Sequence, residues 1–186
     1  MFPSFFQVGF EHITDPNGYD HMLFLLAICA AYKCTEWKKI LVLVTAFTIG
    51  HSVTLALAVF NVIPVNSDWI EFLIPVTIAA TAAKNLLAKQ DKTAMLTYLM
   101  ALVFGLIHGM GFSNYLRSLL GDELLMPLFA FNVGIEFGQL LVVGVIFLIH
   151  FALINAISVK HTTWNVAVSL VAGGISLLLA AQRIPF

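Results

Sequence analysis

The chain has 186 residues, 60% of them hydrophobic and 10% charged, with a mean hydropathy of +0.96. That composition is far more apolar than a soluble domain and points to an integral membrane protein whose solvent is the lipid bilayer. A net charge of -1 without long runs of either sign excludes nucleic acid and other polyanions as partners. The two cysteines, Cys29 and Cys34, form no CxxC pair, so neither a disulfide framework nor a zinc ribbon is expected.

Residues 1–18 carry Phe2, Phe5, Phe6 and Phe10, which predicts an aromatic segment lying at the membrane interface. The segment has neither a basic start nor a small-residue cleavage site, so it is not expected to be a signal peptide. It ends in the turn sequence Asp15-Pro16-Asn17-Gly18, with Asp15 as the expected cap of the first span. Six apolar stretches then run at about 19–33, 38–60, 68–88, 93–114, 125–154 and 163–183, each near the length that crosses about 30 Å of hydrocarbon. Polar breaks separate them at about 33–39, 61–68, 89–92, 114–123 and 160–163. The predicted fold is all-α, a polytopic compact bundle of about six transmembrane helices in a single transmembrane domain, 1–186. Lys33, Lys38, Lys39, Lys84, Lys89, Lys92 and Lys160 fall at one end of these spans, against Arg117 and Arg183 at the other. Because basic loops stay on the cytoplasmic side, both termini are expected outside.

Against this background the ionisable residues are costly, since a charge in hydrocarbon loses several kcal/mol unless it finds a partner. Asp20 and His21 stand at the outer start of the first span, and Glu71 stands one turn into the third, so these three form a mouth. His51, His108 and Glu136 lie roughly 16 Å into their spans, near the midplane. Imidazoles and carboxylates together suit a shared divalent metal ion, and His12, nine positions before His21, joins the candidate ligands. Glu136 makes a strong single case, because an unpaired carboxylate at that depth takes up a proton. Asp20 has two readings, as a helix cap and as a ligand or the acceptor that orients a histidine.

Asn132, Glu136 and Gln139 share one stripe of the fifth span, and Thr48, His51, Ser52 and Thr54 form a polar arc on the second. Ser52, Asn132 and Gln139 are expected to support the ligands from behind. Gly50, Gly105, Gly109, Gly111, Gly134 and Gly138 permit close helix approach in the same regions. His150 and His161 lie toward the lysine-rich end and are expected to be structural or exposed, and the scattered Met22, Met100, Met110 and Met126 to be packing. Few polar residues continue into that half, where Lys84, Asn85 and Gln139 define no evident path.

The blocks GFEHITDPNGYDHMLFLL, FTIGHSVTLALA, IEFLIP, VFGLIHGMGF and FNVGIEFGQLL, in that order over about residues 9 to 140, resemble the HupE/UreJ family of small bacterial membrane proteins. The resemblance implies a nickel or cobalt permease or accessory protein in the plasma membrane, associated with hydrogenase and urease systems and so with metalloenzyme maturation proteins. It implies His12, Asp20, His21, His51, His108 and Glu136 as metal-handling residues.

The leading expectation is a transporter that takes up one or two divalent ions (nickel, cobalt or zinc). Asp20, His21 and Glu71 would receive the ion, and His51, His108 and Glu136 would hold it. Because protons and metal compete for the same lone pairs, protonation offers a route to release. The second expectation is an intramembrane zinc or di-metal hydrolase with Glu136 or Glu71 as general base. A third is a membrane metal sensor or store that moves nothing.

Overall fold

The structure, a computed structural model, describes residues 1–87, 94–120 and 123–185. Lys89 and Lys92, the break expected at 89–92, and residues 121–122 of the break expected at about 114–123 lie outside the described residues. Every regular element among the described residues is helical: α1 Phe2–Thr14, α2 Asp20–Ala30, α3 Trp37–Val59, α4 Ser67–Leu87, α5 Ala94–Gly111, α6 Ser113–Leu119, α7 Leu125–Ile157 and α8 His161–Gln182. Helices α3, α4, α7 and α8 are each long and apolar enough to cross a membrane. With its 50° bend into α6, α5 makes a fifth such span when the two are taken together.

The stretch expected as a first span, 19–33, is where the structure departs most from the hydropathy pattern. It holds only the eleven residues of α2, which rise about 16 Å, half of a hydrocarbon core. The break on its N-terminal side is built by Asp15, whose Oδ1 accepts from the Asn17 backbone N–H at 2.9 Å and so closes a 3-10 turn over Pro16–Gly18. Pro16 fits the start of that turn, where its missing N–H costs nothing. From His21 to Ala30 almost every residue of α2 is buried, against α4, α7 and α8. A helix enclosed on all sides is apolar on all sides, so its hydropathy imitates a span.

Within residues 1–18, Phe2–Thr14 form α1, which packs lengthwise on α7. Gly9 lies against the backbone of Phe131, and Gly134 lies against the backbone of Phe6 and Phe10, where a Cβ on either glycine would be far inside van der Waals contact. The ring pairs Phe2–Phe129 and Phe6–Phe137 continue the seam. The contacts advance together along both helices, so α1 and α7 run parallel. Parallel packing of the same close kind joins α3 to α5, through Gly50 against Leu102 and Gly105 against Phe47. Helix α4 pairs with α8, touching where Gly173 meets Ala82. Three tight pairs thus surround the short α2, and the first residues of α2 face the place where α1, α3 and α5 converge.

Candidate metal centre

Four histidines meet there, each from a different helix: His12 on α1, His21 on α2, His51 on α3 and His108 on α5. Ring centroids lie 4.5 Å apart for His12 and His21, 5.9 Å for His12 and His51, 6.0 Å for His21 and His51, and 5.2 Å for His21 and His108. One nitrogen from each of His12, His21 and His51 falls within 4.8 Å of the others, the one group among the described residues able to share an ion in this way. His51 and His108 are almost fully enclosed, at 0% and 1% exposure. Phe24, Phe47, Phe112 and Phe131 wall the cluster. Gly109 is what brings α5 close enough, since it abuts the carbonyl of His51.

The hydrogen bonding of this cluster is incomplete, and the gaps fall together. Among the described residues, seven buried side-chain nitrogen or oxygen atoms have no hydrogen-bond partner, and six of them are His12 Nε2, Asp20 Oδ1, His21 Nε2, both ring nitrogens of His51, and His108 Nδ1. Buried polar atoms are normally satisfied, and each orphan costs about 1–3 kcal/mol. Six orphans in one place therefore call for a shared partner rather than six separate explanations. The donors fit a first-row transition ion: imidazole suits nickel, cobalt and zinc, whereas calcium and magnesium demand oxygen. With metal–nitrogen bonds near 2.1 Å, ligand nitrogens in a tetrahedral site sit about 3.4 Å apart. The nitrogens of His12, His21 and His51, within 4.8 Å of one another, are spread somewhat wider than that. His108 is held from behind, its Nε2 lying 3.0 Å from Thr77 Oγ1, which leaves Nδ1 as the ring nitrogen turned to the cluster without a partner, the orientation usual for ligating histidines.

Of the three candidate carboxylates, Asp20 stands beside the histidines and the two glutamates stand apart from them. Asp20 borders the cluster: its Oδ2 accepts from Arg183 at 3.1 Å, while Oδ1 is one of the orphans. Glu136 faces α3, where its Oε1 accepts from Thr45 Oγ1 at 2.8 Å. Glu71 is exposed on α4. Neither glutamate belongs to the group that can share an ion. Asn132 and Gln139, expected to support ligands, share the stripe with Glu136, but the stripe faces a row of hydroxyls on α3. Thr48 Oγ1 donates to Gln139 Oε1 at 2.7 Å and Ser52 Oγ to Asn132 Oδ1 at 2.6 Å. Together with Thr45 and Glu136 these make a polar seam between α3 and α7. Bonds of this kind contribute about 0.6 kcal/mol each in a membrane interior.

A second polar row is one that the sequence pattern did not single out. Thr77, Thr81 and Asn85 recur every four residues on α4, beginning at His108. Thr77 and Thr81 are buried, and the Asn85 amide donates to the Ala27 carbonyl at 2.7 Å. The row ends at a cleft of about 590 Å³ bordered by Lys33, Lys84, Asn85 and His161. The signal is present in the spacing, but threonine is so common in membrane helices that the spacing alone does not distinguish a polar row from ordinary packing.

An all-helical architecture, a chain this apolar and several membrane-length helices define a multi-pass helical membrane protein. Comparison with known families matches residues 1–183 to the family described as HupE / UreJ protein, and the chain belongs to that family. No match to the chain was found among curated proteins or among solved structures.

Proposed function

We propose that the protein is a plasma-membrane permease for a divalent transition metal ion, with His12, His21 and His51 as ligands and His108 beside them. The observation that carries this is the gathering of six unpartnered buried atoms on these four histidines and Asp20. Family membership supports nickel or cobalt as cargo, and the all-imidazole donor set is compatible with either. Asp20, paired with Arg183 at the edge of the cluster, marks the side from which the ion arrives. Lysine-rich loops on the cytoplasmic side put both termini outside and the Lys33–Lys84 cleft inside.

Passage, as opposed to storage, is supported by the row Thr77, Thr81 and Asn85. Its hydroxyl and carbonyl oxygens replace part of the hydration an ion would otherwise lose entirely. A hydrolase is less well supported, because Glu71 and Glu136 lie outside the ligand group and, among the described residues, no carboxylate joins the three histidines in it. In proteoliposomes loaded with a metal-sensitive dye, the wild type is expected to admit nickel or cobalt and His51→Ala to admit neither. Stoichiometric binding without uptake by the wild type would move the assignment to a sensor or store.

A further inference from the structure

Cys34 lies 116 residues before His150 in sequence, yet with His150 and His161 it forms one chain of contacts at the lysine-bearing end of the bundle. Cys34 Sγ lies 3.0 Å from His150 Nδ1, and His150 Nε2 lies 3.1 Å from His161 Nδ1. His150, expected to be structural or exposed, is 3% exposed and packs its ring on Trp164, with centroids 5.3 Å apart. Cys34 is only partly buried and, with both histidines, lines a cleft of about 580 Å³. His161 also borders the neighbouring cleft in which the α4 row ends. This end is well separated from the four histidines, since His51 lies about 20 Å along α3 from Trp37.

A thiol and an imidazole side by side at the wall of an open cleft are two ligands of matched softness for a first-row ion. When His161 Nδ1 accepts the Nε2–H of His150, the lone pair of His150 Nδ1 is turned toward the sulfur. That is the arrangement by which ligating histidines are commonly held. We propose that Cys34 and His150 form a second divalent-metal site, with His161 as its positioning residue, where an ion leaving the bundle pauses before release or transfer. The role as a release site rests on the permease reading, whereas binding itself does not. Binding replaces the thiol proton, which leaves through the cleft, by a metal–sulfur bond, and water in the cleft completes the coordination. No electron is transferred.

Cobalt(II) titration of the full-length protein in detergent micelles tests this, because thiolate–cobalt bonds give an intense near-ultraviolet charge-transfer band that imidazole–cobalt bonds do not. The wild type is expected to bind two cobalt ions per chain and to show the band. Cys34→Ser and His150→Ala should each lose the band and one ion, whereas Cys29→Ser keeps both. His161→Asn should retain the band with roughly 10- to 100-fold weaker affinity; unchanged affinity would remove His161 from the site. His51→Ala should lose one ion and keep the band. If His51→Ala instead binds as the wild type does, the histidine centre fails while the thiolate site stands. A wild type without the band, or a Cys34→Ser variant that keeps it, overturns the proposal.

Discussion

Both ring nitrogens of His51 are buried without a partner, which makes it the most demanding of the four histidines. A neutral imidazole carries one donor and one acceptor, and leaving both unsatisfied costs a few kcal/mol unless an ion takes the lone pair. The expected result for His51→Leu, close in volume, is opposite in sign for stability and binding. Metal-free, it should unfold at the same or a higher temperature than the wild type, because the orphaned ring is gone. Its affinity for nickel or cobalt should fall by about 100-fold or more, beyond the loss typical of a supporting residue. Thermal unfolding in detergent with and without metal, alongside calorimetric titration, checks both halves.

At the scale of the helix, the centre depends on how closely α3 and α5 approach. A Cβ on Gly109 would strike the carbonyl of His51, whereas Gly144, on α7, has nothing within 4 Å. Gly109→Leu is therefore expected to destabilise the protein by about 1–3 kcal/mol and to abolish metal binding, and Gly144→Leu to do neither; unfolding temperature and bound metal report both. The row on α4 carries a separate expectation. Thr77→Val keeps the shape and removes the hydroxyl, and should slow uptake roughly fivefold, the equivalent of about 1 kcal/mol, with metal still bound at the centre. Equal uptake by Thr77→Val and the wild type would remove the row from the path.

Helix boundaries account for much of what is legible in the sequence. The membrane-length helices α3, α4, α7 and α8 follow the apolar stretches closely, because hydropathy over twenty residues measures what a bilayer demands. That Gly50, Gly105 and Gly109 mark close helix approach is equally readable, but which helices they join is not. The division of the N-terminal region into α1 and α2 is not, since a helix buried in protein and one buried in lipid are both apolar throughout. A related ambiguity directs Glu136 to the centre on sequence grounds: the i, i+4, i+7 stripe on α7 identifies one face, but periodicity cannot say which neighbour that face meets. In the structure it meets Thr45, Thr48 and Ser52.

Across the whole molecule, the six histidines occur at two levels: the four of the centre, and the Cys34–His150–His161 chain beside the lysine-bordered clefts. The upper level is legible because His51 and His108 interrupt apolar sequence and His12 and His21 stand just before it. The lower one is hidden, because Cys34, His150 and His161 come together only when α7 and α8 fold back beside the start of α3. Orientation ties the two levels to function. Reporter fusions at the N- and C-termini should both report an outside location, and a cytoplasmic report from either would reverse the proposed direction of movement.

The centre itself is tested most directly by X-ray absorption at the metal edge. The Cys34→Ser protein, in which the second site is removed, would be loaded with one equivalent of nickel or cobalt. A nearest shell of three or four nitrogens, with the outer-shell scattering of imidazole, is the predicted result. Failure to retain a stoichiometric ion, or a shell dominated by oxygen without imidazole scattering, would contradict the assignment of His12, His21 and His51 as ligands.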